Sequence, residues 1–226
     1  MSVKSNNMEP IERAKFVLRN RDEREYTTAY DILLRNGSPE AQYYIGLMYA
    51  RGQGVAKDYD VAVSWFMKAY NSGHLGAAFF LGKMHATGIG LTKDSTAAIR
   101  YFSECADTDV RAQFEIGLLY FNDDQIPRNL VESAKWMLRA AENGHTEAQF
   151  MIGQYYKNGA GVHKDIDKAL GWLTAAAMNR HKGAQILLGN MYRTADGVPL
   201  DRNESDRWYD MADGKINPKN EPERSD

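Results

Sequence analysis

The chain has one cysteine, Cys105, in 226 residues. No intrachain disulfide can form, and stability has to come from packing alone. There is no apolar run of roughly 18 residues, the length needed to span a bilayer as a helix. Charge of one sign is missing too: 28 Lys and Arg against 30 Asp and Glu leave a net −2. That balance gives no electrostatic footprint for nucleic acid or an acidic membrane surface, and neither is an expected partner. The histidines do not cluster, and no His-Glu-x-x-His or Cys/His ligand spacing occurs, so no metal and no cofactor are expected. The Gly-x-Gly pairs follow no strand pattern, which argues against a dinucleotide loop. No paired titratable groups suggest a catalytic constellation, and the expectation is a protein that is not an enzyme.

What the chain does have is periodicity. Ala41, Ala77, Ala112, Ala148 and Ala184 open successive copies of one unit, at intervals of 36, 35, 36 and 36 residues. Counting each alanine as position zero, position five is always glycine: Gly46, Gly82, Gly117, Gly153 and Gly189. Position 24 is Trp65, Tyr101, Trp136, Trp172 and Trp208, which accounts for all four tryptophans. Position 28 is Ala69, Cys105, Ala140, Ala176 and Ala212. Cys105 thus fills a small-residue slot and is expected to be buried.

Within a copy the pattern is helix, turn, helix. Positions zero, four, seven and eight share one face at 3.6 residues per turn. Gly52/Gly54, Gly88/Gly90 and Gly159/Gly161 end the first helix, and Asp58, Asp94, Asn129, Asp165 and Asp201 are placed to cap the second. First helices are expected near 39–51, 75–87, 110–122, 146–158 and 182–194, and second helices near 59–72, 95–106, 130–143, 166–179 and 202–213. The small residues at positions zero, five and 28 let the two helices approach, with the tryptophan filling the space beyond. His74, His145 and His181 share one phase and are expected to be cap or turn residues.

These residues resemble the Sel-1-like repeat, a relative of the tetratricopeptide repeat. The resemblance implies an all-α, right-handed superhelical solenoid of stacked antiparallel helix pairs that binds other proteins. Some secreted relatives staple each repeat with a cysteine pair. This chain has none, which points to a reducing cytoplasm, and a bacterial origin is expected. The organisation expected is a disordered N-terminus 1–8, a helical cap or half repeat 9–37, and five repeats over 38–213. The repeats run 38–73, 74–108, 109–144, 145–180 and 181–213, followed by a disordered tail 214–226.

The first helices of such stacks line the concave side, and position two points away from each copy's own core. It reads Tyr43, Phe79, Phe114, Phe150 and Ile186. An apolar ladder of this kind is either an exposed binding stripe or a seam packed against the neighbouring copy. Position six adds Leu47, Lys83, Leu118, Gln154 and Asn190, and position nine adds Phe121, Lys157 and Arg193 in the last three copies. The groove so formed is expected to be apolar at its start and polar to basic at its end. The third copy replaces Gly-x-Gly with Asp123-Asp124-Gln125, a loop drift or an acidic feature for a basic partner, together with Asp107 and Asp109.

The function expected is non-enzymatic: an adaptor or inhibitor that holds a partner protein or peptide in its groove. Alternatives are an immunity protein neutralising a bacterial toxin, a secretion chaperone, or a binder of peptidoglycan fragments or small molecules. Oligomeric state stays open.

Overall fold

The structure, a computed structural model, describes residues 8–218. The expected disorder of residues 1–7 and 219–226 falls outside the described residues. Among the described residues there are twelve α-helices and no strand. They run α1 Pro10–Asn20, α2 Tyr26–Asn36, α3 Pro39–Arg51, α4 Tyr59–Asn71, α5 Leu75–Thr87, α6 Ser95–Cys105, α7 Val110–Asn122, α8 Leu130–Glu142, α9 Thr146–Asn158, α10 Ile166–Met178, α11 Lys182–Thr194 and α12 Arg202–Ala212. The five first helices have the bounds expected from the repeat, and each second helix ends one residue sooner. The chain divides into two compact units, Met1–Asp109 and Val110–Asp226. The N-terminal unit holds the hairpins α1/α2, α3/α4 and α5/α6. The C-terminal unit holds α7/α8, α9/α10 and α11/α12. Within each unit the second helix of one hairpin packs on the first helix of the next.

The helix ends follow from local chemistry. Asp58, Asp94, Asn129, Asp165 and Asp201 each accept the amide three residues on, at 2.8–3.1 Å. Each bond satisfies a donor that a helix start leaves open, and loss of such a cap costs about 1 kcal/mol. The turn after α9 has a second constraint. Gly161 has φ +70°, and a Cβ there would lie 2.0 Å from the carbonyl oxygen of Leu130. The loop therefore seats directly on the start of α8, where only glycine fits.

The close approach inside each hairpin has a different cause from the one expected. The residue facing the position-five glycine is not the tryptophan but its neighbour at position 25: Phe66, Phe102, Met137, Leu173 and Tyr209. A Cβ on Gly46, Gly82, Gly117 or Gly153 would fall 2.8 Å from those side chains, and on Gly189 it would fall 3.1 Å from the Tyr209 ring. Trp208 is buried, but Trp65, Trp136 and Trp172 are only half-buried. Lys68 Nζ lies 4.4 Å from the Trp65 ring centroid and the Arg139 guanidinium 5.4 Å from that of Trp136. Trp65 and Trp136 thus each hold a cation against the ring. Cys105 is buried as expected.

The C-terminal unit also contains polar ties inside its core. Gln113, Gln149 and Gln185, at position one, are buried. Asn143 Nδ2 donates to Gln113 Oε1 at 3.1 Å, and Asn179 Nδ2 to Gln149 Oε1 at 3.2 Å. Gln149 and Gln185 in turn donate to the carbonyls of Ala141 and Ala177, at 3.3 and 2.9 Å. Gln149 and Gln185 thus tie the end of the preceding repeat to the helix that follows, whereas the bond to Gln113 joins the two helices of one repeat. The tail was expected to lack order from Gly214 onward, yet its described part, 214–218, folds back. Ile216 packs on the last core cluster, and Arg180 Nη2 donates to Asn217 Oδ1 at 2.9 Å.

Candidate functional site

The position-two ladder is built into the joints between repeats. In the C-terminal unit the Phe114 ring stacks on the His145 imidazole, with centroids 4.2 Å apart, and Phe150 stacks on His181 at 4.3 Å. In the N-terminal unit Tyr43 stacks on His74 at 4.4 Å. These histidines occupy the N-cap positions of the following first helices, as their shared phase implied. His145 and His181 accept the amides of Ala148 and Ala184 through Nδ1, at 3.2 and 3.0 Å. Burial holds the pKa values of His74 and His145 below the ordinary imidazole range. The neutral ring is the form that can accept a cap bond at Nδ1.

Accessibility differs between the units. In the N-terminal unit Leu47 is 5% exposed and Phe79 7% exposed. Phe79 sits among the rings of Phe80 and Phe102, at 5.3 and 5.7 Å. Both side chains are core, so the expectation that they line a groove is corrected here. Tyr43 and Lys83 are half-buried. In the C-terminal unit Phe114, Leu118, Phe121, Phe150, Gln154, Lys157 and Asn190 are all half-buried, and Arg193 is exposed. Ile186 is 37% exposed. The apolar members lie on α7, the first turn of α9 and α11. The polar ones are Gln154 and Lys157 on α9 and Asn190 and Arg193 on α11.

One of the two cations at the basic end of this face, Lys157, is paired with a carboxylate: its Nζ lies 2.7 Å from Asp196 Oδ2. The Arg193 guanidinium lies 4.7 Å from the Tyr209 ring centroid and donates to Asn190 Oδ1 at 3.2 Å. Tyr209 Oη donates to the same Asn190 oxygen at 2.7 Å. Asp196 and Tyr209 were not singled out from the sequence. Asp196 falls where other copies carry a loop residue, and only the fold places it beside Lys157. Asp107 and Asp109 end the N-terminal unit, whereas Asp123 and Asp124 lie in the first loop of the C-terminal unit. Asp123 Oδ1 accepts the amide of Gln125 at 2.8 Å, so one of the acidic residues is used in its own turn. Among the described residues no group of three or more His, Cys, Asp or Glu is placed to hold a metal ion.

The family model for the Sel1 repeat matches five times, at residues 39–74, 76–107, 110–145, 146–181 and 183–212. The chain belongs to the Sel1 repeat family. Among solved structures it resembles a Sel1 repeat protein from Oxalobacter formigenes, at 28% identity and a TM-score of 0.80, over 92% of this chain and 86% of that one. It also resembles a protective antigen of uropathogenic Escherichia coli that displays an SLR fold, at 26% identity and a TM-score of 0.82. That match covers 91% of this chain and 45% of the antigen, so the chain spans less than half of that protein. Immunity protein Pa5087 from Pseudomonas aeruginosa is a likeness of fold alone, at 18% identity and a TM-score of 0.52, covering 94% and 77% of the two chains. No curated protein sequence matches. With these neighbours the all-α, helix-pair solenoid class stands as read from the repeat, and no described helix is long and apolar enough to cross a membrane.

Proposed function

We propose that this Sel1 repeat chain is a non-enzymatic module that binds a partner protein or peptide on the first-helix face of its C-terminal unit. The supporting observation is the incompletely covered apolar row of Phe114, Leu118, Phe121, Phe150 and Ile186, bordered by Gln154 and Asn190. An accessible apolar row with a polar border is the usual form of a protein-docking face. The earlier groove residues Tyr43 and Lys83 lie in the N-terminal unit and are not part of this face, and Leu47 and Phe79 serve as core. With Lys157 paired, the partner needs an apolar segment more than it needs acid.

The test is capture from a lysate of the source organism, with identification by mass spectrometry. Wild type should capture a defined partner, and Phe114→Ser/Phe150→Ser should lose it while far-ultraviolet circular dichroism stays helical. Val131→Ser, at a site 52% exposed on α8, should capture normally. Retention of the partner by the double phenylalanine variant would remove this face from consideration. The immunity, chaperone and small-molecule readings would be separated by what is captured. The likeness to immunity proteins carries the fold only.

A further inference from the structure

At the start of the N-terminal unit a cleft of ≈ 600 Å³ is lined by Leu18, Arg19, Arg21, Glu23, Tyr26, Arg51, Gly52 and Gln53. Three arginines meet one carboxylate there. An arginine in the last turn of a helix offsets the negative end of its dipole, which accounts for one charge at the end of α1 and one at the end of α3. It does not account for Arg21. Arg21 holds the left-handed conformation, φ +54° and ψ +40°, at the end of α1, a slot that glycine would fill without strain. The copies also differ at this place. The residue corresponding to Arg51 is Thr87, Asn122, Asn158 or Thr194 in the others, and the residue corresponding to Gln53 is Ile89, Asp124, Ala160 or Asp196. The first repeat alone presents this basic, amide-bearing loop.

The polar groups in the wall are incompletely used. Gln53 is 9% exposed. Its Nε2 donates to Tyr26 Oη at 3.1 Å, which leaves Gln53 Oε1 buried without a partner. A buried, unfilled acceptor in a cleft wall calls for a donor. The guanidinium groups call for acceptors, and arginine forks match carboxylates in geometry as well as charge. A fully deprotonated anion such as sulfate would answer the arginines and leave the amide oxygen unfilled. An acidic peptide brings both carboxylates and backbone N–H donors.

We infer that this cleft is a second interaction surface, separate from the first-helix face of the C-terminal unit, and that it takes an acidic segment of a partner polypeptide. The inference does not depend on the groove reading, because all its residues lie in the N-terminal unit.

The experiment is fluorescence anisotropy with the full chain and a short fluorescein-labelled glutamate-rich peptide, at low and near-physiological salt. Saturable binding that weakens with salt is expected, with no binding of a lysine-rich peptide of equal length. Arg19→Gln/Arg21→Gln/Arg51→Gln should weaken binding about tenfold or more. Arg35→Gln, an exposed arginine outside the cleft, should leave it unchanged. Arg21→Gly should raise the melting midpoint and still weaken binding, which separates recognition from folding. Three results would overturn the inference: a triple variant that binds as tightly as wild type, equal weakening by Arg35→Gln, or inorganic pyrophosphate displacing the peptide far more readily than unlabelled peptide does. The last would assign the cleft to phosphate instead.

Discussion

The imidazole of His145 lies on the Phe114 ring at a centroid distance of 4.2 Å, while its Nδ1 accepts the amide of Ala148 at 3.2 Å. One side chain therefore caps a helix and covers the ladder residue of the preceding repeat. The bond requires a neutral Nδ1, so the joint should respond to acid. Burial lowers the pKa of His145 and of His74, outweighing the opposing fields of Glu147 and Glu115 on the one and Glu40 on the other. An imidazole with a folded pKa below its unfolded value binds fewer protons when folded. Its contribution is complete above about pH 6.5 and is lost as pH falls through the folded value. Denaturant unfolding at a series of pH values should show stability declining on the acid side of neutrality. His145→Asn keeps a capping acceptor that does not titrate and should flatten that decline, while losing the ring stack at a cost of about 1 kcal/mol. An unchanged acid slope would show that the joint does not titrate.

Gly161 and Gly171 should respond oppositely to alanine. At Gly161 the new Cβ meets the Leu130 carbonyl, and the positive φ adds strain. Gly161→Ala should cost about 3 kcal/mol or more. Gly171 lies inside α10, and a Cβ there would meet nothing within 4 Å, so Gly171→Ala should stabilise by about 0.5–1 kcal/mol. Chemical denaturation midpoints of the two variants give the comparison directly.

Gln149→Leu should be costly despite its apolar gain. It strips partners from Asn179 Nδ2 and the Ala141 carbonyl at once. The Ala141 carbonyl still accepts the Gly144 amide at 3.0 Å and Asn179 is exposed to water, so the expected loss is that of the two hydrogen bonds alone, about 1 kcal/mol. Hydrogen exchange should also speed up at the end of α8 and the start of α9. A neutral result would mean that water replaces the lost bonds.

Ser133 and Tyr155 form a buried bridge across two repeats. Ser133 Oγ lies 2.8 Å from the Gly117 carbonyl and 2.9 Å from Tyr155 Oη. Ser133→Ala should cost about 1–3 kcal/mol, and much less in a Tyr155→Phe background, where no hydroxyl is left unpaired. Additive losses in the double-mutant cycle would show that the two hydroxyls do not act together.

Much of the architecture could be read directly, because it rests on short-range rules repeated five times. A cap aspartate or asparagine, a helix-ending glycine and an alanine face recur in register, so the bounds of the first helices followed from spacing. The candidate site was legible only in part. Periodicity located position two but could not say that Phe79 is enclosed by Phe80 and Phe102 while Phe114 and Phe150 keep an open edge. Nor could it pair Lys157 with Asp196, since these residues meet only through the packing of neighbouring repeats.

The amino-acid order alone determined the repeat, the helix pairs, the capping residues and the absence of disulfide support. These depend on interactions within a few residues or on identity at a fixed period. Tertiary structure decided which large side chain faces each glycine, which ladder residues stay accessible, how the glutamines tie the repeats, and that three arginines share a cleft at the N-terminal end. Those outcomes depend on how each hairpin is rotated against the next, and a linear period carries no information about that rotation.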